Sequence, residues 1–323
     1  MKAMAIEDGA YALRELPEPE IGPRELLVRV RATALNRADV SQRAGRYRQQ
    51  ATARDGVHVA GLESAGEVVA VGAEVAAHRV GDRVMGMCAG GFAEYLAMDE
   101  RVALPVPDAL DWPAAAAVPV ALMTKHDAIA TRAQLAPGES LIVHAAASGV
   151  GLIGVQIARL LGAEPLLGTV ADERQAQLVR ELGADVAIDF HEQEFEAVVA
   201  DRTTGGVDVV IDHVGGPYLA GNLRAMAVGG RLVSVGRLGP VVGELDLDLL
   251  ARKNLHLLGV SFRTRTLDQY GEIARRAAAA LLPALADGRI RPVVDSTFPL
   301  EQAEAAQEHM LANRHLGKIV LTP

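Results

Sequence analysis

Three glycines, Gly149-x-Gly151-x-x-Gly154, follow an apolar run that ends at Ala145 and open an amphipathic run, Val150–Leu161. Glycines so placed let a backbone turn approach a pyrophosphate. The helix that follows offers free N–H groups and the positive end of its dipole to the phosphates. Ala146 and Ser148 are small enough to serve in the first glycine positions. The turn that would hold a dinucleotide therefore reads as Ala146, Ser148, Gly149, Val150 and Gly151. Close packing of a helix on a strand is the plain alternative. About twenty residues on, an acid would bind the ribose hydroxyls of NAD. Thr169 and Val170 occupy that strand end instead, and Thr169 is the cofactor contact expected there. Asp172 and Glu173 suit the cap of the next helix. Arg174 has the reach for a 2′-phosphate, although it also fits a solvated helix face. The pattern favours NADPH over NADH.

Other catalytic signatures are missing. The sequence contains no Tyr-x-x-x-Lys, no His-Glu-x-x-His and no Gly-x-Ser-x-Gly. Nine histidines are scattered; His144 and His213 close apolar strands, where ligands bind in such sheets, but neither is assigned a direct catalytic role. Cys88 is the one cysteine, so no intrachain disulfide and no cysteine-rich zinc site can form. It reads as a small buried hydrophobe in a protein of a reducing compartment.

The elements that position these residues follow two rhythms. Before Leu110, short alternating strands (Leu26–Ala34, Gly66–Gly72, Val84–Met87, Phe92–Met98) are separated by turn signals, which predicts a β-rich, partly barrel-like domain. After it, six apolar strands alternate with helical patterns, from Ser140–Ala145 to Leu255–Phe262, the last leading into a long helix, Leu267–Asp287. That alternation predicts an α/β, doubly wound parallel sheet of the Rossmann type. The tail, Arg291–Pro323, has two strands flanking a helix and is too small to stand alone. The expected partition is 1–120 plus 291–323 for the β-rich domain and 121–290 for the dinucleotide domain.

Aromatics make up only 3% of the 323 residues, so the core must be built from Ala, Val and Leu. The net charge of −9 argues against nucleic acid or an anionic membrane as partner. The N-terminus has no apolar signal-peptide region, and no apolar run reaches a bilayer-spanning length of about 20 residues. A cytoplasmic protein is expected.

Several ordered blocks resemble one family. Asn36–Tyr47 (NRADVSQRAGRY), Val59–Gly72, Gly81–Glu94, Asp212–Gly216 (DHVGG), Gly229–Gly236, Leu258–Arg265 and Asn313–Val320 (NRHLGKIV) resemble the zinc-independent quinone oxidoreductases, ζ-crystallin-like proteins of the medium-chain dehydrogenase/reductase superfamily. The resemblance implies a Rossmann domain inserted in a GroES-like β-rich catalytic domain. It implies hydride transfer from NADPH to a quinone or an α,β-unsaturated carbonyl. In the zinc alcohol dehydrogenases of that superfamily the first ligand cysteine would fall at Asn36 and the ligand histidine at Leu62, so the zinc route is not expected.

By the same resemblance Asn36 and Tyr47 line the space beside the nicotinamide; a turn-capping Asn and a loop Tyr are the plain readings. Thr124, Gly236, Phe262, Asn313 and Lys318 fall on the family's cofactor-contacting blocks, Asn313 and Lys318 across the domain junction, and Arg263 on the pocket rim. Lys125 and His126 depart from relatives that read Thr-Ala-Tyr or Thr-Ala-Trp there. They either alter substrate choice or bind phosphate, or face solvent. The family also implies a homodimer built on the Leu255–Phe262 edge. Two other functions share these features: enoyl-thioester reduction in fatty-acid or polyketide chemistry, and a non-enzymatic cofactor-binding role.

Overall fold

The computed structural model describes residues 1–47, 53–54 and 56–323. The chain forms two compact units, Met1–Met123 with Phe262–Pro323, and Thr124–Ser261.

The first unit begins with β1 (Lys2–Glu7) and β2 (Ala10–Glu15), an antiparallel hairpin turned at Asp8-Gly9, where both residues take positive φ. Asp-Gly is the dipeptide that such a two-residue turn favours. β3 (Glu25–Ala34) alternates buried and less buried side chains over most of its length and precedes α1 (Arg37–Arg43). β4 (Ala53–Arg54), β5 (Val57–His58), β6 (Glu63–Val71), β7 (Arg83–Met87), β8 (Tyr95–Asp99) and β9 (Ala103–Pro105) follow, then α2 (Trp112–Ala116) and the start of α3 (Pro119–His126), whose residues from Thr124 on belong to the second unit. β3 pairs antiparallel with β6 and with β8, and β6 with β7.

The second unit holds β10 (Leu141–Val143), α4 (Gly149–Leu160), β11 (Leu166–Val170), α5 (Glu173–Glu181), β12 (Val186–Asp189), α6 (Phe195–Arg202), β13 (Val207–Asp212), α7 (Gly216–Ala225), β14 (Met226–Ser234), α8 (Leu247–Arg252) and β15 (His256–Gly259). All six strands are parallel, in the order β12-β11-β10-β13-β14-β15. Leu141, Ile142, Val143, Val209, Val210 and Ile211 are fully buried, as central strands covered on both faces must be. The order reverses between β10 and β13, the switch point at which doubly wound sheets bind their ligands.

The chain then returns to the first unit with α9 (Leu267–Ala286), β16 (Val294–Pro299), α10 (Ala303–Leu311) and β17 (Lys318–Thr322). β17 pairs with β3, Val320 opposite Ala34, and completes a sheet in the order β16-β17-β3-β6-β7-β9, with β8 also on β3. The unit boundary falls after Ser261, not at 290, because β15 ends the parallel sheet. Among the described residues no later strand joins that sheet for α9 to cross over to. α9 instead belongs to the first unit, where Tyr270 donates to the Phe262 carbonyl at 3.0 Å and Asp268 pairs with Arg101.

Candidate active site

In the second unit β10 delivers the chain to a turn of small residues. Ala145 sits at φ +52, and Ser148 caps α4 by accepting from Gly151 N at 3.0 Å while donating to the Ala145 carbonyl at 2.8 Å. Gly151 admits no side chain: a Cβ there would lie 2.4 Å from the Ala145 oxygen and 2.6 Å from that of Ala146. Gly149 and Val150 open α4, where backbone N–H groups have no acceptor within the helix. Ala146 is fully buried beneath them. The predicted turn residues are thus gathered at one helix N-terminus that can receive a pyrophosphate.

Thr169 has a different task from the expected cofactor contact. Its hydroxyl accepts from Ala145 N at 3.0 Å and lies 3.3 Å from His144 Nδ1, while its carbonyl receives Ala146 N at 2.9 Å. His144 Nε2 is 2.7 Å from Asn222 Oδ1. Burial draws His144 down to about 4, against the hydrogen bond to Asn222, so the ring is neutral. With Nε2 donating to Asn222, Nδ1 accepts from the Thr169 hydroxyl. Thr169 therefore spends its one hydroxyl donor and one of its acceptor positions on shaping the turn. Asp172 caps α5 by accepting from Gln175 N at 2.8 Å, and Arg174 stands exposed in the first turn of that helix, beyond the end of β11.

Lys125 and His126 do not face solvent; Lys125 is fully buried and His126 is 7% exposed. Thr124 is buried beside them, and Gly236 follows the end of β14. A run of Met-Thr-Lys-His carries no periodicity that separates a buried from a solvated lysine, and the structure decides it through α4: the stem of Lys125 lies against Gly154, where a Cβ would come within 2.8 Å of it.

In the first unit Asn36 and Lys318 belong together. The Lys318 ammonium, 4% exposed, donates to the Leu35 carbonyl at 2.8 Å, to Asn36 Oδ1 at 2.8 Å and to Glu63 Oε1 at 2.5 Å. Asn36 Nδ2 donates to the same Glu63 oxygen at 2.8 Å, and Glu63 Oε2 accepts from Val120 N at 2.8 Å. All three protons of Lys318 are committed, so it is not the cofactor ligand the sequence suggests. Asn313 turns the chain at φ +57 after α10, and its side-chain oxygen accepts from Arg37. Glu63 escaped the sequence reading; its signal is a lone acid within the apolar stretch Val59–Ala65. Asp39, fully buried, accepts from Asn36 N at 2.5 Å, and burial pushes its carboxyl up to about 7.

Asn36 precedes α1 and Tyr47 follows it, so a seven-residue helix of roughly 10 Å separates them. Tyr47 lies with Arg263, whose guanidinium sits 5.3 Å over its ring; burial pushes the phenol up to about 12. Arg263 and Phe262 line a cavity of about 300 Å³ in this unit, together with Cys88, Met98, Leu267 and Tyr270. Arg265 stands over the Phe262 ring at 5.3 Å and lines it too. Cys88 is a buried free thiol, held at about 12 by burial against a contact of 3.5 Å with the Ser64 hydroxyl.

Residues 22–108 match the alcohol dehydrogenase GroES-like domain, and residues 182–321 match the zinc-binding dehydrogenase family. The chain is 35% identical over 318 residues to a quinone oxidoreductase of Pseudomonas aeruginosa, covering 96% of this chain and 94% of that one. It belongs to the medium-chain dehydrogenase/reductase superfamily. It is similar in structure to the quinone oxidoreductase of Thermus thermophilus, which has also been solved with NADPH, at a TM-score of 0.84 and 33% identity over the full length of both chains. It is also 36% identical over 299 residues to the polyketide synthase GfsB of Streptomyces halstedii, covering 92% of this chain but 5% of that protein. The superfamily includes zinc enzymes, but the residues here do not fit that ion. Leu62 offers only hydrocarbon, and the amide of Asn36 is held by an ammonium.

Proposed function

We propose that the protein is a zinc-independent, NADPH-dependent oxidoreductase that reduces a quinone or an α,β-unsaturated carbonyl. The observation that carries this is the glycine turn, Ser148 to Gly151, opening α4 beside the switch point of a six-stranded parallel sheet. Ser148, Gly149, Val150 and Gly151 would hold the pyrophosphate, and Arg174 the 2′-phosphate. The bound cofactor supplies a hydride. Reduction of such an acceptor needs orientation and a hydrogen bond to the oxygen that gains charge, more than a strong base. The mainly apolar cavity of the first unit suits a flat, uncharged acceptor. Tyr47 does not itself line this cavity but meets its wall at Arg263, and its phenol, kept protonated by burial, is the donor offered to the acceptor oxygen. Asn36 keeps a supporting role in this reading, locked to Glu63 and Lys318. Mixing the purified chain with NADPH and a panel of quinones and enones tests the proposal. Acceptor-dependent cofactor oxidation supports it, and none with any acceptor refutes it.

A second reading, enoyl-thioester reduction, is favoured by the likeness to a polyketide synthase. Turnover of crotonyl-CoA above that of simple quinones would select it. Among the described residues no helix is long and apolar enough to cross a membrane, and a cytoplasmic location is part of the same proposal. So is a homodimer. β15 is an edge strand with exposed His256 and Leu257, and a second copy paired along it would satisfy its free backbone groups. A monomer mass in light scattering would refute that.

A further inference from the structure

Lys125 is a lysine buried inside a nucleotide-binding unit, where an unpaired ammonium is costly. Its stem fills the space that Gly154 leaves empty, since a Cβ there would lie 2.8 Å from Cε and 3.0 Å from Nζ. The third glycine of the turn therefore makes room for this lysine. Nζ lies 2.5 Å from Nε2 of His213, the residue that follows β13. The charged and titratable groups acting on the pair are Asp212 at the end of β13, which attracts the ammonium, and the neutral His144, which follows β10. Asp212 is itself fixed, accepting from the amides of Val214 and Gly215. Gly154 of α4 faces the lysine stem, and Gly236, two residues past the end of β14, faces the imidazole.

Burial draws Lys125 down to about 7 against the pull of Asp212, and His213 far lower, through burial first and then Lys125. Just below neutral pH the pair is thus an ammonium and a neutral imidazole. An ammonium has only protons to give, so Nε2 accepts and the ring proton sits on Nδ1. Nδ1 is the ring atom that faces Gly236, where a Cβ would stand 3.0 Å from it. That side is the carboxyl end of β13 and β14. In a doubly wound sheet the pyrophosphate lies at the first helix and the adenosine ribose at the end of the second strand, which leaves these two strand ends for the other nucleoside.

We propose that His213 donates a hydrogen bond from Nδ1 to an oxygen of the nicotinamide riboside, and that Lys125 is the positioning residue that fixes the ring in that tautomer. The inference rests on the dinucleotide reading above and names a ligand contact for it. An oxygen acceptor, a carboxamide carbonyl or a ribose hydroxyl, is the chemistry such a donor recognises.

Two measurements on the full-length chain test it. Long-range proton–nitrogen NMR of the histidine rings at pH 6, without cofactor, should show His213 neutral with its proton on Nδ1. In Lys125→Met the Nε2–H form should appear. NADPH titration, followed by cofactor fluorescence, should give an affinity about tenfold weaker for His213→Ala. His213→Asn, whose amide nitrogen can stand where Nδ1 stood, should bind within about twofold of the parent, on the loss expected for one hydrogen bond. His213→Gln should be as weak as His213→Ala. An Nε2–H ring in the parent protein, or parental affinity in His213→Ala, would overturn the inference while leaving the dinucleotide reading intact. A parent that does not bind NADPH overturns both. The parent spectrum and the His213 series decide the matter even if Lys125→Met does not fold.

Discussion

Replacing Lys318 with Met removes the one cation from a buried cluster and leaves the Glu63 carboxylate, fully out of solvent, with no counter-charge. The Leu35 carbonyl and Asn36 Oδ1 lose their donor at the same time. Breaking a buried pair from one side costs about 3–5 kcal/mol, because the surviving charge stays desolvated. For a domain of this size, at about 2–4 °C per kcal/mol, the melting temperature should fall by about 6–20 °C. The double variant Lys318→Met, Glu63→Gln neutralises the stranded carboxylate while keeping an oxygen for Val120 N. It should therefore regain about 1–3 kcal/mol of the loss. Urea unfolding of the parent, both single variants and the double variant gives the coupling energy directly. A loss below about 1 kcal/mol for Lys318→Met would refute the reasoning, since that is the worth of an exposed pair. So would a double variant no more stable than Lys318→Met. In either case Lys318 would be open to the ligand role that its buried bonds now exclude.

Gly151→Ala drives a methyl into two backbone oxygens of the turn, and NADPH affinity should fall by at least about tenfold in fluorescence titration while the circular dichroism of the fold persists. Arg174→Ala should weaken NADPH by about tenfold and leave NADH unchanged, as loss of a charged hydrogen bond to phosphate would do; equal effects on both cofactors would remove Arg174 from the site. Asp39, raised by burial from 3.8 to about 7, keeps its proton in the folded state over a range where the unfolded chain has released it. Stability should therefore fall as pH climbs from about 4 to 7, and Asp39→Asn should flatten that slope in urea unfolding at stepped pH.

The second unit is legible in the sequence because its signals are local. Apolar runs such as Val207–Asp212, glycines at fixed spacing and a capping Asp172 each act within a few residues. The return of the last strand was also readable, since Arg291–Pro323 has no core of its own. What escaped depends on partners far apart in the chain. Lys318 reaches Asn36 across 282 positions, and no local pattern marks either as half of a pair. α9 continues the strand–helix rhythm so well that only the end of the sheet at β15 shows where it belongs. Thr169 stands where a ribose ligand is expected, yet its hydroxyl is spent on Ala145 and His144.

The central claim, hydride transfer from NADPH to a quinone or enone without a metal, is tested most directly by following the absorbance of the reduced nicotinamide. The purified chain is dialysed against a chelator and mixed with NADPH and each acceptor in turn. Oxidation that requires an acceptor, at the same rate before and after chelation, is the predicted result. No acceptor-dependent oxidation, or a rate abolished by the chelator and restored by zinc, would contradict the account.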